Sequence, residues 1–460
     1  MNNAQTHLKM GYVWTICLVA ACGGLLFGYD WVVIGGAKPF YEAWFSITDP
    51  AQSGWAMSSA LLGCIFGALI SGWCADKLGR KLPLILSAVL FSASAWGTAV
   101  ASHFDMFVVY RIVGGVGIGL ASALSPLYIA EVSPAEKRGR FVAVNQLTIV
   151  IGVLAAQLIN LMIAEPVEPG ATQQMIVDSW NGQMGWRWMF GAELVPALAF
   201  LVLMFFVPES PRWLMKAGKP ERARAALERI GSADYADRIL REIAHTLEKD
   251  NNKVSYGALL APQVKPIVII GMVLAIFQQW CGINVIFNYA QEIFASAGFD
   301  INSTLKSIVA TGVVNLVFTI AALPLVDKIG RRKLMLLGAS GLTLIYVLIA
   351  GAYAMGIMGW PVLLLVLAEI FPNRVRGLAM SLGTLALWIA CFLLTYTFPL
   401  LNAGLGAAGS FLLYGVICAA GYLYILRNVP ETKGITLEAL EEQLAQRHTG
   451  VNAAKQEQMR

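Results

Sequence analysis

The segment GGLLFGYDWVVIGGA, residues 23–37, places an aspartate, Asp30, inside a run of apolar residues that extends from 11 to 36. A helix of about 20 apolar residues is long enough to cross a lipid bilayer. A charged side chain within such a helix is costly and is by default a hypothesis of function. The segment therefore predicts a membrane-spanning helix with a buried acid of functional importance.

The composition extends this prediction to the whole chain. Of the 460 residues, 57% are hydrophobic and only 13% are charged, whereas soluble domains carry about 25% charged residues. Further apolar runs of spanning length lie at 55–75, 83–101, 106–130, 141–163, 188–207, 265–288, 308–326, 334–355, 377–399 and 408–426, and a shorter one at 361–368. The pattern excludes a large soluble core and predicts an all-α, multi-pass membrane protein with eleven clear spans.

The distribution of basic residues predicts the orientation of these spans. Basic clusters follow every second span, at 77–81, 137–140, 328–333 and 374–376, and the polar stretch 209–262 is also rich in cations. The loops that alternate with these clusters hold few basic residues, and Lys38 is assigned to one of these loops. Because cytoplasmic loops carry an excess of Lys and Arg, we expect the clusters and the N-terminus to face the cytoplasm.

The two halves of the chain repeat three motifs. DKLGR at 76–80 recurs as DKIGR at 327–331, Pro208-Glu-Ser recurs as Pro430-Glu-Thr, and a glutamate followed by Arg-Gly occurs in both halves. A duplicated six-span unit indicates a secondary transporter with its site between the repeats. We expect the charges of these motifs to form a cytoplasmic gate; the alternative is that they only set topology. The gate residues are Asp76, Arg80, Glu131, Arg138, Asp327, Arg331, Glu369 and Arg376.

Six stretches resemble the sugar porter family of the major facilitator superfamily. They are the two DKxGR motifs, RIVGGVGIGLASALSPLYIAEVSPAEKRGR at 111–140, PESPRWL at 208–214, FQQWCGINVIFNYA at 277–290 and PETKG at 430–434. The resemblance covers about 11–443 and is greatest to bacterial proton-linked symporters of xylose, arabinose, galactose and glucose. It implies the major facilitator fold, two six-helix bundles related by pseudo-two-fold symmetry.

The domain prediction follows from the repeat and its polar interruption. Residues 1–208 are expected to form an N-terminal six-helix bundle and 209–262 a cytoplasmic helical linker. Residues 263–430 are expected to form the C-terminal bundle, and 431–460 a cytoplasmic tail. The segment PERARAALERI within the linker is helical in character.

Asp30 and Arg111 are predicted to meet. Asp30 lies roughly 27 Å above the inner end of the first span, and Arg111 lies roughly 30 Å above that of the fourth, at 1.5 Å per residue. An aspartate whose partner can leave has a proton affinity that depends on conformation, as proton coupling requires; a static ion pair is the alternative. The resemblance implies the coupling role and adds Glu193, a third buried acid near the pair.

Neutral amides and an aromatic ring are typical of a sugar site, because a sugar carries many hydroxyls and an apolar face. The amides could instead join helices. Gly282, which lies between the amides Gln279 and Asn284, is expected to loosen its helix locally. The resemblance matches the amides to sugar-contacting positions and adds Trp388, while Asn288 stands where many members have tyrosine. The predicted sugar-binding residues are Phe27, Gln146, Gln278, Gln279, Asn284, Asn315 and Trp388.

The second half is shorter than the first. Asp76 and Glu131 are 55 positions apart, but Asp327 and Glu369 only 42. Two spans of about 20 residues and a turn do not fit in that interval. The tenth span is therefore predicted to be truncated, as a distorted short hairpin, a re-entrant half-helix or part of one long tilted helix.

These observations predict proton-coupled symport of a pentose or hexose into the cell by alternating access. The alternatives are a non-transporting sugar sensor or inactive remnant, favoured by the short tenth span, and an uncoupled facilitator. No HExxH, GxSxG or P-loop pattern is present, so an enzyme is not expected. Sugar, proton and lipid bilayer are the expected partners, without nucleic acid, metal or cofactor. A monomer in the bacterial inner membrane is expected.

Overall fold

The computed structural model describes residues 8–249, 265–357, 359 and 382–431. Within these residues the chain is helical, with no β-strand. Ten helical segments are long and apolar enough to span a membrane. The prediction of an all-α membrane protein is therefore confirmed.

The helices of the first half end with a group of short polar ones. They are α1 (Met10–Trp44), α2 (Pro50–Leu78), α3 (Lys81–Ala99), α4 (Phe104–Val132), α5 (Arg138–Ile163), α6 (Gln173–Asp178), α7 (Trp186–Gly191), α8 (Leu194–Phe206), α9 (Pro211–Lys216), α10 (Pro220–Ile230) and α11 (Ala233–Lys249). A 3₁₀ turn, Ala135–Lys137, precedes α5, and a π-helical turn, Asn181–Gly185, precedes α7. Helix α10 is the segment PERARAALERI that the sequence predicts to be helical.

The helices of the second half are α12 (Lys265–Trp280), α13 (Ile283–Asn288), α14 (Ala290–Ser296), α15 (Ile301–Ile329), α16 (Arg331–Ala354) and α17 (Leu382–Asn428). The last is interrupted at Gly406, whose backbone has φ 66° and ψ 175°. A continuous helix of this length would measure about 70 Å, more than twice the hydrocarbon thickness. Its two parts correspond to the predicted spans 377–399 and 408–426.

Helix packing has the symmetry that a duplicated unit requires. Helix α2 packs along α4 and α1 along α5 within the first half, and α16 packs along α17 within the second. Between the halves, α2 packs against α17 and α5 against α15. A two-fold axis that exchanges the halves converts the contact of α2 with α17 into the contact of α15 with α5. Both contacts are present.

The DKxGR motifs form the same turn in both halves. Helix α2 ends at Leu78 and α15 ends at Ile329. The following glycines, Gly79 and Gly330, have φ of 89° and 97°, which glycine adopts without steric cost. The repeated glycine is therefore explained by the backbone conformation of this turn.

The truncated tenth span lies outside the described residues, together with Glu369 and Arg376. Helix α16 ends at Ala354, and the described chain resumes at α17.

Candidate functional site

Asp30 and Arg111 form a buried ion pair between α1 and α4. They are 1% and 2% exposed. Arg111 Nη2 also donates to the Asp30 backbone carbonyl at 3.3 Å, and the guanidinium lies 5.6 Å from the centre of the Phe190 ring. The structure thus brings together the two residues that the helix-rise arithmetic places at similar depth.

Glu193 adds a second acid to this pair. It lies between α7 and α8, is 1% exposed, and interacts electrostatically with both Asp30 and Arg111. Among the described residues, Asp30 Oδ2 and Glu193 Oε1 have no hydrogen-bond partner. Two carboxylates therefore lie near one guanidinium, and among the described residues only Asp30 is ion-paired with it. Binding of a single proton would make the group of three neutral. We call Asp30, Arg111 and Glu193 the inner-bundle cluster.

An aromatic wall adjoins this cluster. Phe27 and Trp31 of α1 lie 5.8 Å apart between ring centroids, and Trp388 of α17 lies 5.7 Å from Phe27 and 6.0 Å from Trp31. Because Trp388 belongs to the second half, the wall crosses the boundary between the halves. Trp31 was not singled out from the sequence, where nothing distinguishes it from a lipid-facing tryptophan.

The helix break at Gly282 positions two of the predicted amides. Gly282 has φ 94° and separates α12 from α13, so the prediction that this glycine loosens the helix is confirmed. Asn284 Nδ2 donates to Gln279 Oε1 across the break and lies 3.7 Å from Cys391 Sγ on α17. These amides are placed beside the helix that carries Trp388.

The other predicted amides lie on α5, α12 and α15. Gln146 and Gln278 are half-buried, and Asn315 is 6% exposed. Asn315 Nδ2 has no hydrogen-bond partner among the described residues. Since α5 packs against α15, Gln146 and Asn315 belong to the two helices that join the halves on this side.

The DKLGR motif of the first half forms a network inside that half. Arg80 Nη2 contacts Glu131 Oε1 at 2.8 Å, and Ser210 Oγ donates to Glu131 Oε2 at 2.5 Å. Asp76 is exposed and pairs instead with Lys216 at 2.8 Å. Arg138 is exposed at the start of α5. The network joins the inner ends of α2, α4 and the segment after α8.

Glu209 of the first PES/PET motif caps the N-terminus of α3. Its Oε1 accepts from the backbone N–H of Arg80 at 2.9 Å and of Lys81 at 3.2 Å. Anions bind well at helix N-termini because the backbone N–H groups there lack helical partners. Burial raises the pKa of Glu209, and the hydrogen bonds from Ser210, Arg80 and Lys81 oppose that rise.

The second motif repeats this arrangement. The carboxylate of Glu431 lies beside Gly330, as that of Glu209 lies beside Gly79. Asp327 lies in the last turn of α15, which ends at Ile329, and Arg331 begins α16. The side chains of Asp327 and Arg331 lie outside the described part of the structure. The repeated glutamates are thus placed by the repeated turns.

A third group of charges was missed by the sequence analysis. Lys38 lies within α1, which continues to Trp44, and is 3% exposed rather than in an outer loop. Its Nζ contacts Glu42 Oε1 at 3.1 Å and Glu292 of α14, and lies 5.3 Å from the Tyr289 ring centre. Lys38 and Glu42 are four residues apart, the spacing of a helical ion pair, which is the signal that could have found them.

Lys38, Glu42 and Glu292 form what we call the outer triad. It joins α1 of the first half to α14 of the second. Ser53 Oγ donates to Glu42 Oε1 at 2.6 Å. Glu42 and Glu292 line a cavity of about 250 Å³ and are partly exposed, whereas the lysine is enclosed. Glu292 Oε2 is itself buried without a hydrogen-bond partner among the described residues.

These features define a class: a membrane transporter made of two helical repeats, with buried charge in one repeat and a polar, aromatic region between the two. A sequence profile described as "Sugar (and other) transporter" matches residues 16–444. The chain is 38% identical to the D-xylose-proton symporter of Escherichia coli (strain K12), covering 95% of this chain and 96% of that protein. It is 34% identical to the arabinose-proton symporter of Bacillus subtilis (strain 168), covering 96% and 99%. The chain belongs to the sugar transporter family.

Solved structures show the same fold. A partially occluded inward-open conformation of the E. coli xylose transporter matches with a TM-score of 0.81 and 34% identity, over 93% of this chain and all of that one. The same transporter bound to 6-bromo-6-deoxy-D-glucose matches with a TM-score of 0.77 and 35% identity, over 95% of this chain. The predicted major facilitator fold and the resemblance to sugar porters are confirmed.

Proposed function

We propose that this protein imports a monosaccharide together with a proton by alternating access of one site to the two sides of the membrane. The inner-bundle cluster is the observation that carries the proposal. An excess negative charge away from water is costly, so the cluster favours the state in which one carboxyl holds a proton. Asp30 is the proton carrier, Arg111 its exchangeable partner, and Glu193 the second acid.

The sugar site lies between the halves. Phe27 and Trp388 supply the apolar face, and Gln146, Gln278, Gln279, Asn284 and Asn315 supply donors and acceptors for hydroxyls. The relatives named for xylose and arabinose support a pentose or hexose as substrate, as does a Synechocystis protein named a glucose transport protein, 38% identical over 95% of this chain.

The proposal extends to the setting of the chain. The protein functions as a monomer in the inner membrane of a bacterium, with its N-terminus in the cytoplasm and without nucleic acid or catalysis. Residues 1–208 and 263–430 act as the two moving bundles, with 209–262 as linker and 431–460 as tail. Arg80 and Glu131 act as part of the cytoplasmic gate, with Asp76, Arg138, Asp327, Arg331, Glu369 and Arg376.

Uptake into proteoliposomes tests the proposal. The purified chain is reconstituted, and uptake of labelled D-xylose, L-arabinose, D-glucose and D-galactose is measured under an inward proton gradient, with and without a protonophore. We expect concentrative uptake of at least one sugar that is abolished by the protonophore. Equilibrative uptake that ignores the protonophore would indicate a facilitator. Binding without any uptake would indicate a sensor and would contradict the proposal.

A further inference from the structure

A second, smaller cavity lies between the aromatic wall and the inner-bundle cluster. It measures about 10 Å³ and is lined by Trp31, Arg111, Asn288 and four apolar side chains. A cavity of this size holds about one water molecule, or one group of similar size. It is therefore too small for a sugar ring and large enough for a single hydroxyl.

Asn288 is the polar residue that the second half contributes to this cavity. It ends α13 and is 4% exposed, and its Oδ1 has no hydrogen-bond partner among the described residues. The end of α13 approaches α1 closely, because the carbonyls of Phe287 and Asn288 lie beside Gly35, which has no side chain. A buried amide oxygen without a donor loses the hydrogen bonds it would make in water. The position therefore suits a ligand that brings a donor.

Arg111 is the complementary polar residue. It lines the same cavity from the first half, and its Nε has no hydrogen-bond partner among the described residues. A hydroxyl is both donor and acceptor, so one hydroxyl can donate to Asn288 Oδ1 and accept from the guanidinium. The remaining neighbours include Met57, Leu61 and Ile118, which offer no competing hydrogen bond.

Trp31 connects the cavity to the aromatic wall. Its ring forms part of the aromatic wall with Phe27 and Trp388 and also lines the cavity. A sugar whose ring lies against the wall can extend one substituent past Trp31 toward Arg111. Trp31 occupies space beside Asn288 and so restricts what else can enter.

We propose that Asn288, Arg111 and Trp31 form a subsite for one sugar hydroxyl, and that this hydroxyl links sugar binding to the Asp30–Arg111 pair. The inference rests on the proposed sugar symport and adds the contact by which the site discriminates between sugars that differ by one hydroxyl. A hydroxyl that accepts from Nε shares the guanidinium with Asp30, which is bound through Nη1 and Nη2. Sugar occupancy thereby weakens the pair and favours protonation of Asp30, while Asn288 connects the hydroxyl to the second half.

Binding of sugar analogues to the wild type and to variants of Asn288 tests the subsite. Apparent affinities for D-glucose, D-xylose and each of their monodeoxy analogues are measured by competition against uptake of the best labelled sugar. In the wild type we expect one deoxy position to weaken binding about fivefold to tenfold, the effect of one neutral hydrogen bond. In Asn288→Leu that discrimination should disappear at this position and persist at all others. Asn288→Ser, which keeps an acceptor, serves as the second variant and should retain part of it.

The matched control is Asn402→Leu, which removes an amide in the outer cavity instead and should leave the whole deoxy pattern unchanged. A second readout is the ratio of protons to sugars transported by the wild type. It should be lower for the critical deoxy analogue than for the parent sugar.

The outcomes separate the two proposals. A wild type that transports no sugar overturns the proposed symport itself. A wild type that transports sugar, while Asn288→Leu weakens every analogue equally or changes none, overturns the hydroxyl subsite alone. An unchanged proton ratio with the critical analogue overturns the link to Asp30 and Arg111.

Discussion

The inner-bundle cluster and the outer triad contain the same charges in different surroundings. Each combines two carboxylates with one cation. Asp30, Arg111 and Glu193 are all enclosed within the first half, at 1% to 2% exposure. In the outer triad the side chain of Lys38 is 4% exposed, whereas those of Glu42 and Glu292 are 21% and 27% exposed and face a cavity.

The two groups carry similar charges but differ in how far their carboxylates are exposed, and we expect their functions to differ accordingly. The outer triad adjoins a cavity, and the side chains of its two glutamates are partly exposed. The side chains of the inner-bundle cluster are enclosed, and in the proposed mechanism proton binding removes their excess charge. The triad also joins the two halves, and its Lys38–Glu292 contact has to break whenever the outer faces separate. The inner-bundle cluster can change its protonation without any such separation.

Lys38 is arranged so that it keeps one partner when the halves part. Glu42 lies on the same helix, one turn away, and remains beside the lysine. Only Glu292 moves away, and it faces the cavity. Opening therefore exposes one carboxylate to water and leaves no isolated buried cation, which would cost several kcal/mol.

The largest expected effect is that of Asp30→Asn. The amide preserves shape but cannot release a proton, so concentrative uptake should fall to simple equilibration while exchange of labelled for unlabelled sugar persists. Both are measured in proteoliposomes under a proton gradient. Asp49→Asn is the control, because Asp49 caps α2 at the outer surface and asparagine caps equally well. Continued accumulation by Asp30→Asn would contradict the role of Asp30.

The next effect is that of Lys38→Met, which leaves two carboxylates of the outer triad without a cation. The side chains of Glu42 and Glu292 are 21% and 27% exposed, so the loss lies below the about 3–5 kcal/mol of a fully buried pair. The outer-closed state should lose at least about tenfold in population. The measurement is labelling of a cysteine introduced by Asn402→Cys with a membrane-impermeant maleimide, which should become faster. Adding Glu292→Gln should restore part of the protection, and strict additivity of the two substitutions would argue against direct coupling.

A smaller effect is expected for Gln279→Ala, which leaves both charged groups intact. Loss of one amide that binds a sugar hydroxyl should raise KM about threefold to tenfold, with no change in the ratio of protons to sugars. Gln174→Ala on exposed α6 is the matched control. A change of the ratio with unchanged KM would mean that Gln279 serves coupling and not sugar binding.

The smallest effect concerns Glu209, a half-buried acid outside the membrane spans. Because burial raises its pKa, the folded state binds more protons than the unfolded state between the unfolded and folded pKa values. Stability is then greater at lower pH and decreases as pH rises through that window. Thermal unfolding of the wild type and Glu209→Gln should show a weaker pH dependence in the variant. Identical pH profiles would contradict this assignment.

The sequence predicted contacts that depend on regular geometry along one helix or on repetition. Asp30 and Arg111 were paired from the constant helix rise, the break at Gly282 from the conformational freedom of glycine, and the repeated turns at Gly79 and Gly330 from the duplicated motif. The turns and the helix break are local or are imposed by a symmetry visible in the sequence, whereas the Asp30–Arg111 pair joins α1 to α4 and follows from similar depth alone.

The sequence analysis assigned residues of both halves to the sugar site but did not predict which side chains touch across the boundary, for a physical reason. Lys38 follows an apolar run that ends at residue 36, and the sequence analysis therefore assigns it to a loop. The contact of α14 with α1 helps to enclose it. The cavity beside Asn288 depends in the same way on how α13 meets α1. Composition and periodicity report which residues are apolar, but not which helices of two separate bundles touch.

The most direct test compares Asp30→Asn and Lys38→Met in the same vesicles, by sugar counterflow and by uptake driven by a proton gradient. Counterflow needs only alternation of the site, whereas concentrative uptake also needs proton binding. We predict that Asp30→Asn retains counterflow and loses concentrative uptake, while Lys38→Met changes the rates of both and keeps the dependence on the gradient. The same pattern in both variants, or concentrative uptake by Asp30→Asn, would contradict the separation of proton binding from outer closure.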